Sequence, residues 1–192
     1  MMSKINVVVL GISYFEGMAG SMRVRNLIEP LLQKGSITAA NLIFIKGKLP
    51  ELRDGIRENI PYREIHLDET KPNSIVSFVS RGCSFLRQNK IKNSKNILYH
   101  YDTPDLKTIS LLLFAKAIGY KIIYDIIEDN RFVTAYSGFA NRLRIKTSMS
   151  ILKATPSIAH AVVAISSHLE ERMKSLCKGK VPVTLIPITV NF

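Results

Sequence analysis

The sequence predicts an α/β fold: a doubly wound, mainly parallel sheet flanked by helices. Three observations predict it. Short apolar runs and longer amphipathic stretches alternate along the chain, the pattern of repeated β-α-β units. The first run, Ile5–Ile12, is apolar almost throughout, as expected of a strand covered on both faces. The 192 residues, 46% of them hydrophobic, supply core enough for one full domain and exclude wholesale disorder.

The elements follow in order. After Ile5–Ile12 comes a glycine-containing turn, and Met22–Lys34 then sets Val24, Leu27, Ile28, Leu31 and Leu32 on one helical stripe that stops at Gly35. Pro30, late in this helix, is expected to bend it. Asn41–Lys46 predicts a second strand and Arg63–Leu67 a third; the charged stretch Gly47–Tyr62 reads as a loop with one short helical turn. Ser74–Gln88 predicts a helix that Gly82 weakens. Asn96–Tyr101 is a strand, and Asp105–Ile118 a helix with Thr103 or Asp105 as cap and Gly119 as stop. Lys121–Ile127 is a strand, and Gly138–Ala154 a basic helix broken before Pro156. Ala161–Ser166, Ser167–Leu176 and Pro182–Pro187 complete the alternation as strand, helix and strand.

Several classes fall away. No apolar run reaches the roughly 18–20 residues that span a bilayer, and Ile109–Ile118 is short and carries Lys116. Ile5–Leu10 is followed by Gly11, Tyr14 and Glu16 without the small-residue pattern of a cleaved leader. Cys83 and Cys177 are too few for a disulfide framework and lack metal spacing, which makes a reducing cytoplasm the expected setting. Charge is more informative. The net charge is +12, and its excess is concentrated in two acid-free stretches with five basic residues each, Arg81–Lys95 and Arg131–Leu169. A fixed basic face attracts phosphates of a nucleotide, a nucleic acid or an anionic lipid, or it serves only as a solvated face.

In a sheet of this kind, ligands bind outside the carboxyl ends of the strands, so those segments carry the chemistry. Gly17-Met18-Ala19-Gly20-Ser21 lies between the first strand and helix, with Arg23 one turn on. Glycines let the backbone approach an anion and a helix start offers free N–H groups, although a glycine pair also serves a plain turn. Neither G-x-G-x-x-G nor G-x-x-x-x-G-K-[ST] is present, which sets aside dehydrogenases and P-loop enzymes. His100, Tyr101, Asp102 and Asp105 gather at a second strand end, where they bind hydroxyls or simply pack and cap. Asp125 interrupts an apolar strand and requires a partner, while Glu128 and Asp129 project into the expected cleft. No set of residues has metal spacing, and no Ser–His–acid order can be defended.

Four pieces of this chain resemble the amino-terminal domain of the GT-B glycosyltransferases, in particular the large retaining group called family four. They are Lys4–Gly35; Asn96–Asp125, NILYHYDTPDLKTISLLLFAKAIGYKIIYD; Tyr124–Glu128, YDIIE, similar to the family's Tyr-Asp-Val-His-Glu/Asp; and Ala161–Phe192, AVVAISSHLEERMK…VPVTLIPITVNF, similar to its strand ending in Ser, helix and Ile-Pro-Asn-Gly-Val-Asp. Two departures stand out: Ile127 takes the place of the family His, and Ile188-Thr189 that of Asn-Gly after Pro187.

The resemblance implies a Rossmann-like domain, one half of a GT-B fold. It would work with a carboxyl-terminal domain that holds most of a nucleotide-sugar and carries two glutamates eight positions apart. The function implied is sugar transfer from that donor to a saccharide or lipid-linked acceptor in cell-surface polysaccharide synthesis, with the isolated domain inactive. Gly17 and Gly20 would offer backbone donors near the diphosphate, and Arg23 a charge. Asp102, Glu128 and Asp129 would bind acceptor or sugar hydroxyls, and Ser166 would line the cleft. No residue is assigned as catalytic base, no metal or other cofactor is implied, and the nucleotide-sugar is a substrate. The setting implied is cytoplasmic, at the inner face of the plasma membrane if the acceptor is lipid-linked. Two apolar groups beside the basic stretches, Phe78, Phe85, Leu86 and Ile91, then Phe139, Leu143, Ile145 and Ile151 with Arg142, Arg144 and Lys146, rest on an anionic leaflet or pack in the core. The competing class is a basic module that binds nucleic acid or an anionic membrane without catalysis. Against nucleic acid stand the lack of a recognised motif and of any Trp.

Overall fold

A computed structural model describes residues 5–15, 19–46, 53–67, 72–129 and 139–187. In chain order the elements are β1 (Ile5–Leu10), α1 (Ala19–Gln33), β2 (Ile37–Lys46), β3 (Arg53–Arg57), β4 (Ile60–Leu67), α2 (Pro72–Gln88), β5 (Lys95–Tyr101) and α3 (Leu106–Ala117). There follow β6 (Lys121–Ile126), α4 (Phe139–Lys153), the single-turn α5 (Thr155–Ile158), β7 (Ala161–Ala164), α6 (Ser167–Cys177) and β8 (Val183–Leu185). The eight strands form one sheet in the order β3-β4-β2-β1-β5-β6-β7-β8, parallel everywhere except at β3–β4. The α/β reading from sequence therefore holds, with helices on both faces.

Side-chain alternation divides the core. Val7, Val9 and Tyr99 point to one face, where Val24 and Ile28 of α1 meet them. Val8, Leu10, Leu98 and Ile122 point to the other, under Phe78 and Leu86 of α2, Leu111 and Leu112 of α3, and Met173 of α6. The burial of Phe78, Phe85 and Leu86 decides between the two readings of these side chains: they are core contacts of the sheet. Ile145 and Ile151 are half-buried, Ile91 and Leu143 exposed, and the Phe139 side chain lies outside the described residues.

One correction concerns the stretch read as a loop with a helical turn. Its described part is the antiparallel hairpin β3–β4, closed by Glu58 and Asn59 with φ of 52° and 63°. Two successive residues with positive φ are the signature of a tight hairpin turn. The sequence of β3, RDGIR, is polar because an edge strand has little to bury: Ile56 is 75% exposed. The Arg63 side chain grips Asp54 through two hydrogen bonds, of 2.7 and 2.9 Å, which ties the hairpin across its register.

The remaining elements match their predicted places with shifts at the ends. β2 begins at Ile37, because Ile5 pairs Ile37 and the ladder runs on from there. α1 begins at Ala19, three residues before the predicted Met22, and keeps Pro30 inside it. Asp105 caps α3: its carboxylate accepts from the N–H groups of Lys107 and Thr108, and the Thr108 hydroxyl accepts from the Asp105 N–H. Gly119 follows with φ of 93°, the left-handed conformation that ends a helix most cheaply in glycine.

Candidate functional site

The order of strand addition reverses between the parallel strands β1 and β5, where β1 leads outward to β2 and β5 leads the other way to β6. The carboxyl ends of these two strands form the crevice in which an open α/β sheet binds its ligands. Its walls are the turns after β1, β5, β6 and β7 and the first turns of α1 and α6.

The turn after β1 is set by Asn41, a fully buried residue of β2. Its side-chain oxygen accepts from the Tyr14 N–H at 2.7 Å and its amide donates to the Ile12 carbonyl at 2.8 Å. Sequence reasoning passed over Asn41. The available signal was the one it used for Asp125, a polar side chain inside an apolar strand.

Gly20 stands at the start of α1. A Cβ there would lie 2.3 Å from the Tyr101 hydroxyl oxygen and 2.5 Å from Ile12 Cδ1, so with these side chains in place only glycine fits, and a larger residue would displace them. Its predicted partner Gly17 lies outside the described residues. Arg23 was expected to face a diphosphate; its guanidinium instead bonds Asp125 twice, each at 2.9 Å, and donates to the Pro187 carbonyl at 3.1 Å. The Tyr99 hydroxyl donates to the same carboxylate at 2.5 Å. Burial works to lower the Arg23 pKa, but the hydrogen bond and charge of Asp125 outweigh it and the guanidinium is held more firmly charged than usual. Burial, with Asp125 beside it, raises the Tyr99 phenol far above its ordinary range. Asp125 thus has the partner its place in the strand demanded.

Asp102 follows β5 with φ of 81°, exposed at the mouth of the crevice. Its N–H donates to the Asp125 carbonyl at 2.9 Å and its carboxylate accepts from the Thr103 N–H. His100, 2% exposed, completes the turn through a 2.9 Å contact between Nδ1 and the Asp102 carbonyl. A carbonyl only accepts, so Nδ1 carries the proton. Burial lowers the His100 pKa to about 4 against the opposing influence of Asp105, so the ring is neutral at pH 7. The hydroxyls of Ser21 and Thr103 are buried with no hydrogen-bond partner among the described residues.

Glu128 is exposed after β6. Asp129 is nearly buried, its carboxylate paired with Arg172 of α6 and 3.5 Å from His168 Nε2. Ser166 caps α6, accepting from the Leu169 N–H at 3.3 Å. Asp102, Glu128, Asp129 and Ser166 therefore share one edge, at the ends of the neighbouring strands β5, β6 and β7. Asp102 and Glu128 are exposed residues, the Asp102 carboxylate also holding the Thr103 N–H, whereas Asp129 is nearly buried against α6. Arg172 and His168 escaped the sequence reading because a helix-to-strand ion pair leaves no spacing signature.

A groove of about 340 Å³ between α1 and the β3–β4 turn is lined by Tyr14, Glu29, Gln33, Glu58 and Asn59. Arg25 spans its two carboxylates, at 2.9 Å from Glu29 and 3.3 Å from Glu58, and the groove stands apart from the carboxylates of the strand ends. Among the described residues no group of three His, Cys, Asp or Glu side chains could hold a metal ion, and no helix is long and apolar enough to cross a membrane.

No protein-family model and no curated protein matches the chain. Solved structures do. Sucrose-phosphate synthase from Thermosynechococcus elongatus superposes with a TM-score of 0.60 at 15% identity, over 98% of this chain and 49% of that one. The UDP-forming α,α-trehalose-phosphate synthase from Burkholderia vietnamiensis gives 0.57 at 9% identity, over 100% and 50%. The catalytic domain of starch synthase IV from Arabidopsis thaliana, solved with ADP and acarbose, gives 0.54 at 10% identity, over 97% and 52%. The chain spans about half the length of each of these chains. All are GT-B glycosyltransferases, and at such identities the likeness establishes architecture: this chain has the fold of one half of a GT-B glycosyltransferase.

Proposed function

We propose that the chain is the acceptor-side domain of a glycosyltransferase that moves a sugar from a nucleotide-sugar to a saccharide or lipid-linked acceptor, in cell-surface polysaccharide synthesis. A second domain would supply most of the donor site, and the isolated chain would be inactive. One observation carries the reading: the two exposed acidic residues, Asp102 and Glu128, stand at the strand ends of a GT-B half, on the crevice edge. Charged carboxylates accept hydrogen bonds from sugar hydroxyls more strongly than neutral groups do. Transfer with retention rests mostly on positioning and on stabilising the departing diphosphate. The N–H groups at the start of α1, beside Gly20, suit the second task. With its guanidinium on Asp125 and Pro187, Arg23 acts as a positioning residue, and Ser166 lines the crevice through its cap on α6.

The test uses the protein encoded by the complete reading frame with UDP-, GDP- and ADP-sugars. Acceptor-dependent release of nucleoside diphosphate is expected with one donor class. Asp102→Asn and Glu128→Gln should each lower kcat/KM about 10- to 100-fold, the worth of a hydrogen bond to a charged group, without loss of fold. Consumption of no donor would overturn the transferase reading. Full activity in both variants would overturn the acceptor placement alone.

A further inference from the structure

A concave site outside the crevice is the groove of about 340 Å³ between α1 and the β3–β4 turn. Its size falls within the roughly 300–1,000 Å³ of small-molecule sites. Glu29 and Gln33 stand one turn apart on α1 and so share a helix face. Glu58 and Asn59, the two residues of the hairpin turn, line the other side. Leu32 and Ile60 add apolar surface between them. Most of the lining is therefore hydrogen-bonding in character, which points to a polar ligand.

Tyr14 is the residue that marks the groove as a site. It is 3% exposed and its N–H is held by Asn41, yet its phenol has no hydrogen-bond partner among the described residues. The charges that act on this phenol are Glu29, Arg25 and Glu58, the same three that span the groove, so its polar end lies among them. Burial, and after it Glu29, raises the Tyr14 pKa, so the hydroxyl keeps its proton and donates. The ring is held in place: Phe15 meets it edge-on at 5.6 Å, and the Arg25 guanidinium lies 5.8 Å from its centre. A nearly buried hydroxyl left without a partner costs free energy that a ligand oxygen would return.

We infer that this groove binds a neutral saccharide, at a site separate from the crevice; the choice of a sugar among neutral polyhydroxyl ligands rests on the transferase reading. Charge selects the class. Arg25 already bridges the two carboxylates, at 2.9 Å from Glu29 and 3.3 Å from Glu58, so a cationic ligand would have to displace it. Two carboxylates against one guanidinium leave the groove negative on a chain of net charge +12, which turns an anionic ligand away. What the groove offers is hydrogen bonding: the Tyr14 hydroxyl as donor, the Glu58 carboxylate as acceptor, and the Gln33 and Asn59 amides as both. Neighbouring sugar hydroxyls each donate and accept, so they match such a set, and Leu32 and Ile60 meet the C–H face of a pyranose ring.

The test is calorimetric titration of the chain, with no donor present, against maltotriose, cellotriose, mannotriose and galactotriose. At least one of these trisaccharides should bind. Tyr14→Phe should weaken that binding about 3- to 10-fold and Glu58→Gln about tenfold or more, the worth of a neutral and of a charged hydrogen bond. Asp102→Asn with Glu128→Gln, in the crevice, should leave the affinity within about twofold. Tyr14→Phe should also unfold in urea no earlier than the wild type, because its hydroxyl has no partner to lose. Circular dichroism on each variant confirms that the fold is intact. Binding of none of the four sugars, binding of spermidine or inorganic phosphate in their place, or equal weakening by the crevice pair would each overturn the inference, as would a destabilised Tyr14→Phe. Failure of the complete protein to consume any sugar nucleotide would overturn the transferase reading and leave the measured affinity for the groove standing.

Discussion

Arg23, Asp125 and Tyr99 show what a buried charge requires. Asp125 is fully buried and Arg23 is 3% exposed, so neither has water to solvate it. The guanidinium fork matches the carboxylate, and Tyr99 supplies a third bond to it. Breaking such a pair from one side strands a charge in the core. Asp125→Ala is expected to cost about 3–5 kcal/mol in urea unfolding, and the double change Arg23→Met with Asp125→Val much less. A single-variant cost below about 1 kcal/mol would remove the pair from the stability of the fold. His100 gives a pH signature. Its pKa is about 4 in the fold against an ordinary 6.5, so between those values the unfolded chain binds more protons than the native one. Stability contributed by neutral His100 is present above pH 6.5 and is lost as pH falls towards 4, by about 3 kcal/mol in all. His100→Gln should flatten the wild-type stability curve across that window; parallel curves would show that the ring does not titrate there.

Among the elements, α2 shows how packing overrides propensity. Glycine inside a helix costs about 1 kcal/mol relative to alanine, which is why Gly82 reads as a weakness. In the fold, a Cβ at Gly82 would lie 2.7 Å from Leu111 Cδ2, and Leu111 is fully buried in α3 with little room to yield. The glycine is what lets the two helices approach. Gly82→Ala is therefore expected to destabilise by about 1–2 kcal/mol. In a Leu111→Ala background the clash is gone, and the same change should stabilise by up to about 1 kcal/mol. A double-mutant cycle by urea unfolding reads this reversal of sign, and two effects of the same sign would refute the close contact. β3 makes the complementary point. An edge strand is paired on one side and bathed by solvent, so its residues need no apolar pattern, and RDGIR carries none.

At the scale of the whole molecule, strand order follows from handed crossovers. A right-handed connection from β1 to β2 places α1 on one face, and connections running the other way from β5 place the later helices on the opposite face. That reversal opens the crevice at β1 and β5, and it also lays α2, α3 and α4 side by side. Basic residues from separate segments of sequence, among them Arg87, Lys116 and Lys146, thereby come to one side of the sheet. The crevice and these helices meet at the carboxyl edge, where exposed Asp102 and Leu106 are four residues apart in the chain.

The sequence by itself determined the α/β class, the order of nearly every helix and strand, the likeness to a GT-B half, and the need of Asp125 for a partner. These are legible because backbone periodicity and the cost of burying a charge are local properties, written in consecutive residues. Only the tertiary structure decided that Arg23 is that partner, that Asp129 belongs to Arg172, that Phe78 and Phe85 face the sheet, and that Gly20 and Gly82 lie against Tyr101 and Leu111. Each of these joins residues far apart in the chain, and which side chain meets which is fixed by strand order and helix approach, for which spacing along one segment holds no record.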